Sequence, residues 1–210
     1  ILDELQETIS ASRLSCFHGC RLRFYFQYVL EVETRPTPAL FIGQAVHQLL
    51  QRWNLQRWRG EPFVVEEFKD QLSQIWEGSD EVSWKGDPLA ERELIWKLFE
   101  HYLENTPIPA DEKPQGVEVG VHATLGEGLP DLFGYLDLVR PGGIIVDFKT
   151  SASTPPEGQA AQRHWFQLVG YAYLYRASTG ERERGVEFHH LVKTKTPKLA
   201  ISASGPVSDT

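Results

Sequence analysis

The chain has 210 residues and a formal net charge of −8, and it contains six tryptophans and two cysteines. This length suits one α/β domain, and the sequence has neither a membrane-length apolar run nor a signal-peptide pattern, so we expect no membrane association. Two cysteines are too few for a disulfide framework, which favours a reducing, cytoplasmic location.

The net charge argues against a nucleic-acid partner, because phosphate binding needs Lys and Arg. Its distribution along the chain weakens that objection. Residues 61–118 contain 15 carboxylates and five Lys or Arg, whereas residues 140–200 contain nine Lys or Arg and five carboxylates. The local field decides where a polyanion binds, so the second half of the chain remains a candidate binding region.

The first segment, from Ser10 to Val32, predicts two short helical pieces that are rich in aromatic residues and include Arg13 and Arg21. Aromatic residues interleaved with arginines can stack on bases and bind phosphates. They can equally form a core with the arginines at its rim, and for any single residue this second interpretation is favoured.

After a loop at Thr34 to Pro38, a helix is predicted over Ala39 to Trp58, with His47 close to its broad apolar face. A single histidine in that position is more often a packing residue than a metal ligand. Two further helices are predicted over Val64 to Trp76 and Pro88 to Asn105, with their acidic residues facing solvent.

Three strands are then predicted, the first over Val117 to Leu125 with Glu118 on one face. The other two, Leu132 to Val139 and Ile144 to Phe148, flank the turn residues Pro141 to Gly143 and predict a β-hairpin. A helix over about Gln159 to Ala177, a strand over Val186 to Lys193 and a loose tail from Thr194 follow.

The predicted hairpin carries an unusual set of charges. A three-residue loop pairs Arg140 with Ile144 and sets Asp137 opposite Asp147, with Cβ atoms roughly 4.5–5.5 Å apart. Lys149 lies on the same face as Asp147. A divalent cation compensates two such carboxylates best, although Lys149 alone can offset one of them, as in an ordinary surface hairpin with a salt bridge.

The element order, helical and then β-β-β-α-β, predicts an α/β fold with a mixed central sheet flanked by helices and a helical N-terminal portion. We expect a single domain over residues 1–210. Its parts are a mainly helical region over 1–115, a β-β-β-α-β core over 116–193 and the loose tail over 194–210.

Taken together, these residues resemble the PD-(D/E)XK nuclease superfamily and, within it, the RecB-like group. The matching segments fall in the order of the family: Ser12-Arg13-Leu14, Cys20-x-x-x-Phe24-Tyr25, Gly43-x-x-x-His47, Glu118, Gly134-Tyr135-Leu136-Asp137, Ile145 to Ser151 and Gln167-x-x-x-Tyr171. The resemblance implies a restriction-endonuclease-like fold and a core that carries the catalytic residues.

The resemblance also implies roles for individual residues. Mg²⁺ or Mn²⁺ would be bound by Asp137, Asp147, His47 and the backbone carbonyl of Phe148. Lys149 would be the catalytic lysine.

Other residues would contact the substrate. Gln167 and Tyr171 would line the site and help to hold DNA, which Arg13 and Arg21 would also contact. Glu118 is a candidate supporting residue.

The sequence departs from the family pattern in three places. Leu136 stands where the superfamily name has proline, and Arg21 follows Cys20 where this group often has proline. Relatives with an iron–sulphur cluster use one early cysteine and three near the C-terminus, whereas no cysteine follows Cys20 here. We therefore expect no iron–sulphur cluster.

The expected function is a metal-dependent DNA nuclease, most similar to RecB-like exonucleases of recombination and repair, with a helicase or recombination protein as a candidate partner. One alternative is a catalytically silent nuclease-like domain that binds DNA or a helicase. Another is an unrelated α/β domain with a coincidental salt-bridged hairpin. The sequence leaves open whether cleavage is exonucleolytic or endonucleolytic, its polarity and its strand preference.

Overall fold

A computed structural model of the protein describes residues 7–156 and 164–208. Its strands are β1 (Thr8–Ser10), β2 (Gly116–Ala123), β3 (Asp131–Arg140), β4 (Ile144–Ser151), β5 (Gly185–Val192) and β6 (Lys198–Ser204). Its α-helices are α1 (Ala11–Gly19), α2 (Arg21–Phe24), α3 (Pro38–Arg59), α4 (Val65–Trp76), α5 (Pro88–Asn105) and α6 (Trp165–Thr179). A π-helical turn, Tyr25–Val29, follows α2, and a 3₁₀ turn, Glu77–Glu81, follows α4.

The strands form one six-stranded mixed sheet in the order β1-β3-β4-β5-β6, with β2 also paired to β3. The β2–β3, β3–β4 and β5–β6 pairs are antiparallel, whereas β1–β3 and β4–β5 are parallel. A parallel β4–β5 pair needs a long crossover, and α6 lies in it. This sheet with its flanking helices confirms the predicted α/β fold class.

Helices cover both faces of the sheet because strand side chains alternate between the two faces. Phe148 of β4 points into the larger apolar cluster, with α3, α4 and α5. On the other face, Tyr171 and Tyr175 of α6 pack against Leu136 and Phe188. Of the residues described, no helix is long and apolar enough to cross a membrane.

Helix α3 carries its own start and stop signals. The Thr37 side chain accepts a hydrogen bond from the Leu40 N–H at 3.2 Å, Pro38 occupies the first turn, and Gly60 ends the helix with a left-handed φ of 74°. The helix predicted over Ala39 to Trp58 is thus confirmed and extends by one residue at each end.

The hairpin register is also confirmed. Arg140 pairs with Ile144, and the left-handed φ values of Gly142 and Gly143, 81° and 77°, form the turn. Backbone pairing ends after Leu138 and Val146. The next position along the hairpin belongs to the two aspartates.

The prediction of a loose tail from Thr194 is wrong over residues 198–204. This segment forms β6, which pairs antiparallel with β5 and forms an edge of the sheet. Its half-buried alternation was hidden by small polar residues, which carry little apolar signal. Strand β1 is only three residues long, too short to show periodicity. The predicted start of the last helix, near Gln159, lies outside the described residues.

Candidate active site

Asp137 lies where the β3–β4 ladder ends. Its Oδ2 accepts a hydrogen bond from the backbone N–H of Phe148 at 2.9 Å, so a carboxylate serves as the acceptor for a strand amide. The side chain is only 14% exposed. Burial and the charge of Asp147 raise the pKa of Asp137 to about 7, partly offset by His47, the Phe148 amide and Lys149. The repulsion between the two aspartates that the register predicts is therefore present.

Asp147 is almost completely buried and has two polar neighbours. Tyr171 donates a hydrogen bond from its hydroxyl to Oδ1 at 2.9 Å. Lys149 Nζ lies 2.7 Å from Oδ2 and forms an ion pair with it. This contact does not have hydrogen-bond geometry, so Oδ2 is buried without a hydrogen bond. Burial and the nearby carboxylates raise the pKa of Tyr171 well above its usual value, which keeps the phenol a neutral donor.

His47 reaches the same place from α3. Its Nδ1 lies 3.5 Å from Asp137 Oδ2, and its Nε2 lies 2.5 Å from the carbonyl oxygen of Phe148. The helix approaches β4 closely because Gly43 has no side chain: a Cβ there would lie 3.1 Å from Thr150 Oγ1. The Gly43-x-x-x-His47 spacing thus places an imidazole one helical turn beyond a close helix–strand contact.

Gln167 and Tyr171 lie one turn apart on α6, as predicted. Gln167 Nε2 is 3.5 Å from the Tyr171 hydroxyl, at the upper limit of a hydrogen bond. Gln167 also lines a surface cavity of about 420 Å³ with Cys20 and Arg23. The side chain therefore connects Tyr171 with the N-terminal helical segment.

Glu118 occupies a strained position in β2. Its φ of 50° is left-handed, which is uncommon for a residue other than glycine. The pairs Val117–Leu138 and Val119–Leu136 flank it, and in this register it stands opposite Asp137. It lines a cleft of about 560 Å³ with His47 and Lys149. Strain of this kind costs about 1–3 kcal/mol and concentrates at functional sites.

The other two predicted substrate contacts lie on the N-terminal helices. Arg13 on α1 lies over the Tyr28 ring, and Arg21 on α2 lies over the Phe17 ring, each 5.4 Å from the ring centroid. The structure thus brings together His47, Asp137, Asp147, Phe148, Lys149, Gln167 and Tyr171 but places these arginines outside that group.

The donor set suits a hard divalent cation. Two carboxylates, an imidazole and a backbone carbonyl lie near one another. A cation there would lower the raised pKa of Asp137 and would compensate the charge on the buried Oδ2 of Asp147, which has no hydrogen bond. Within residues 7–156 and 164–208, however, no three His, Cys, Asp or Glu side chains stand in a finished metal-binding arrangement. Asp147 is held by Tyr171 and Lys149, so its side chain would have to move to share one ion with His47 and Asp137.

Sequence reasoning missed two histidines on β5. His190 is paired with Lys149 in the sheet register and is buried with its Nε2 lacking a hydrogen bond. Burial, with a smaller effect of His164, lowers the pKa of His190 to about 4. On the opposite face, His189 accepts or donates at 2.9 Å to the Tyr102 hydroxyl behind Phe148. Both histidines lie in a strand that is otherwise largely apolar. Only the pairing of β5 with β4 shows that they neighbour Lys149 and Phe148.

Comparison with known proteins gives an independent result. The family model described as the PD-(D/E)XK nuclease superfamily matches residues 8–206. The crystal structure of a candidate exonuclease from Eubacterium rectale is similar over 99% of this chain and 75% of its own, with a TM-score of 0.69 and 19% sequence identity. That similarity shows a shared fold, the restriction-endonuclease-like mixed sheet.

A second solved structure, SSO0001, aligns over 92% of this chain and 81% of its own. Its TM-score of 0.36 and identity of 17% are too low to indicate a common fold. No protein of curated function matches the sequence.

Proposed function

The chain belongs to the PD-(D/E)XK nuclease superfamily, whose members generally use divalent metal ions, and from this premise we propose a metal-dependent DNA exonuclease of the RecB-like group that acts in recombination or repair. One observation supports this most: two buried aspartates, a lysine and a tyrosine meet at the end of the β3–β4 ladder. A helicase or recombination partner, a cytoplasmic location and a single-domain organisation stay predictions.

The proposed ligands are Asp137, Asp147, His47 and the carbonyl of Phe148. A divalent ion bound there would lower the pKa of the attacking water and neutralise charge on the scissile phosphate. An oxygen-rich set suits Mg²⁺, and the imidazole makes Mn²⁺ an effective substitute.

The remaining residues act around that centre. Lys149 supplies a fixed positive charge to the attacking water or to the phosphoryl oxygens, whose charge increases in the transition state. Tyr171 holds one oxygen of Asp147 through its hydroxyl, and the other oxygen, which lies 2.7 Å from Lys149 Nζ, would turn to the metal. Gln167 extends this contact toward the substrate, and Glu118 lines the same cleft from the strained strand β2.

Cleavage assays test the proposal. End-labelled linear DNA and closed circular DNA, each single- and double-stranded, are incubated with Mg²⁺, Mn²⁺ or EDTA, with Asp147→Asn as the matched variant. We expect metal-dependent degradation of linear DNA by the native protein and none by the variant. Cutting of circles would show an endonuclease instead, and equal activity in EDTA would contradict the metal mechanism.

A second candidate is a nuclease-like domain that binds DNA without cleaving it. Lys149 Nζ lies 2.7 Å from Asp147 Oδ2, so an ion pair already compensates the charge of this buried carboxylate, which favours this candidate. Binding of DNA with no cleavage on any substrate would support it. Calorimetric titration with Mn²⁺ separates the two candidates further, because only the enzyme needs a site that Asp137→Asn weakens.

A further inference from the structure

A surface of exposed apolar side chains covers the N-terminal helical segment. Phe17, Leu22, Tyr25 and Phe26 are between 44% and 63% exposed. Large apolar patches on a soluble domain mark contacts with another molecule. The surface lies on α1, α2 and the π-helical turn that follows, next to α6 and its Gln167.

The same segment is free of acidic residues. From Thr8 to Leu30 the sequence contains no Asp or Glu but has three arginines, in a chain whose net charge is −8. Arg23 is exposed and forms no ion pair with a described carboxylate, and Arg21 lies over the Phe17 ring. This combination of positive charge and exposed rings is complementary to a polyanion that carries aromatic groups.

Two adjoining cavities extend from this surface to Gln167 of α6. The outer one, about 530 Å³, is lined by Phe26 and Val32, and the inner one, about 420 Å³, by Tyr28 and Gln167. They share Cys20 and Arg23. Together they form a groove that begins at an exposed phenylalanine and ends one helical turn from the tyrosine that holds Asp147.

The π-helical turn Tyr25–Val29 contributes to the shape of this groove. The N–H of Leu30 donates to the carbonyl of Tyr25 at 2.9 Å, a wider turn than that of an α-helix. Such turns are rare and frequently occur at functional sites. Here the turn follows two consecutive aromatic residues, Tyr25 and Phe26, that are both 46% exposed.

We propose that this groove binds single-stranded DNA, with an unpaired base stacked on Phe26 and phosphates paired with Arg23, which lines both cavities, and with Arg21 on the adjoining exposed surface. The inference rests on the proposed nuclease function, because the groove ends at Gln167, whose Nε2 lies 3.5 Å from the hydroxyl of the site residue Tyr171. The faces of bases in a duplex are covered by their neighbours, so only an unpaired strand can use an aromatic platform in this way. The groove would therefore make the protein selective for single strands over blunt duplexes.

Binding without cleavage tests the groove. Fluorescence anisotropy in EDTA measures the affinity for an oligothymidine of about 20 nucleotides and for a blunt duplex of the same length. We expect Phe26→Ala to weaken single-strand binding by roughly 5- to 100-fold, since one base stack is lost, with duplex binding unchanged. Phe26→Trp should retain the affinity for the single strand. When 2-aminopurine in the strand stacks on the ring at position 26, its fluorescence is quenched, and this quenching should be lost only with Phe26→Ala.

Phe63→Ala is the matched control, because Phe63 is 44% exposed but lies between α3 and α4, away from the groove. The proposal is overturned if Phe26→Ala and Phe63→Ala behave alike, or if single-strand and duplex binding fall equally. A change in molar mass by light scattering with unchanged DNA affinity would also overturn it, since the surface would then join two copies of the chain.

The outcome can be separated from that of the nuclease proposal. If the native protein binds single strands through Phe26 but cleaves no DNA with Mg²⁺ or Mn²⁺, the groove stands and the nuclease proposal fails. If it cleaves DNA while Phe26→Ala leaves binding and cleavage of single strands unchanged, the nuclease proposal stands and the groove is excluded.

Discussion

Lys149 and Asp147 form an ion pair in which each residue has a separate proposed role, Lys149 toward the phosphate and Asp147 toward the metal. Both lie on the same face of β4, and Asp147 is buried with one oxygen bonded to Tyr171 and the other facing Lys149. A buried carboxylate needs such partners, because an unpaired charge in the interior is costly. The same partners hold the carboxylate in its present position, and a bound cation would replace the contact with Lys149.

Lys149→Ala should lower the rate of DNA cleavage by roughly 10²–10³-fold, since a charge aimed at the reacting phosphate is lost. The fold should survive with reduced stability, because Asp147 loses its ion pair but keeps the hydrogen bond from Tyr171. Single-turnover cleavage rates and circular dichroism measure the two effects. Lys195→Ala, outside the site, is the control, and full activity of Lys149→Ala would refute its assigned role.

Tyr171→Phe should destabilise the protein by about 1–3 kcal/mol, because Asp147 Oδ1 would be buried without its donor. Urea unfolding measures the loss. Tyr173→Phe removes the hydroxyl that donates to the Thr124 carbonyl at a more exposed position and should cost less. Equal costs for the two variants would show that the Asp147 contact has no special weight.

The pKa of Asp137, raised to about 7 from a usual value of 3.8, predicts a dependence of stability on pH. Between these values the folded state holds a proton that the unfolded state has released, so the free energy of unfolding falls as pH rises from about 4 to about 7. The total loss should be on the order of 3 kcal/mol. Urea unfolding in EDTA across this range should show the slope, and Asp137→Asn should flatten it.

At the scale of elements, the site depends on how α3 meets β4. Gly43 allows that approach, and His47 follows one turn later. Gly43→Val should push α3 away from Thr150 and so move His47. Mn²⁺ binding should weaken by about tenfold or more, which is typical when residues that orient a metal ligand are changed. Gln44→Val places the same side chain at the next, exposed position and should leave Mn²⁺ affinity nearly unchanged in calorimetric titration.

The hairpin and α3 could be predicted because their signals are local. Pro141, Gly142 and Gly143 fix the register, and the period of apolar residues fixes α3. Strand β6 could not, since its own residues are only weakly apolar and it is ordered by pairing with the buried strand β5. The opposition of Asp137 and Asp147 could be predicted from the hairpin register. The hydrogen bond from the Phe148 amide to Asp137 could not, because it depends on where the β3–β4 ladder ends, and no local sequence pattern shows that position.

For the whole molecule, charge is divided between two regions. The helices and connections over residues 61–118 are acidic, whereas the N-terminal surface and the region over 140–200 are basic. The local field of each region, rather than the net charge of the chain, then decides where a polyanion binds.

The salt dependence of single-strand binding tests this division. Each phosphate contact contributes about −0.7 to the slope of log K against log salt for single strands, so Arg21→Gln with Arg23→Gln should reduce the slope by about 1.4. Lys85→Gln with Lys97→Gln removes the same charge from the acidic region and should leave the slope unchanged. Equal reductions would mean that net charge alone governs binding.

The hydrogen bond from the Phe148 amide to Asp137 makes one backbone proton a reporter of the site. Its nuclear magnetic resonance frequency is sensitive to the charge on the accepting oxygen, and so to both protonation of Asp137 and capture of that oxygen by a diamagnetic ion such as Mg²⁺. A single cross-peak in an isotope-labelled sample would then follow occupancy of the site without any substrate being cut. Because the β3–β4 ladder ends before Asp137, the Phe148 amide is free to report whether the site holds a metal ion.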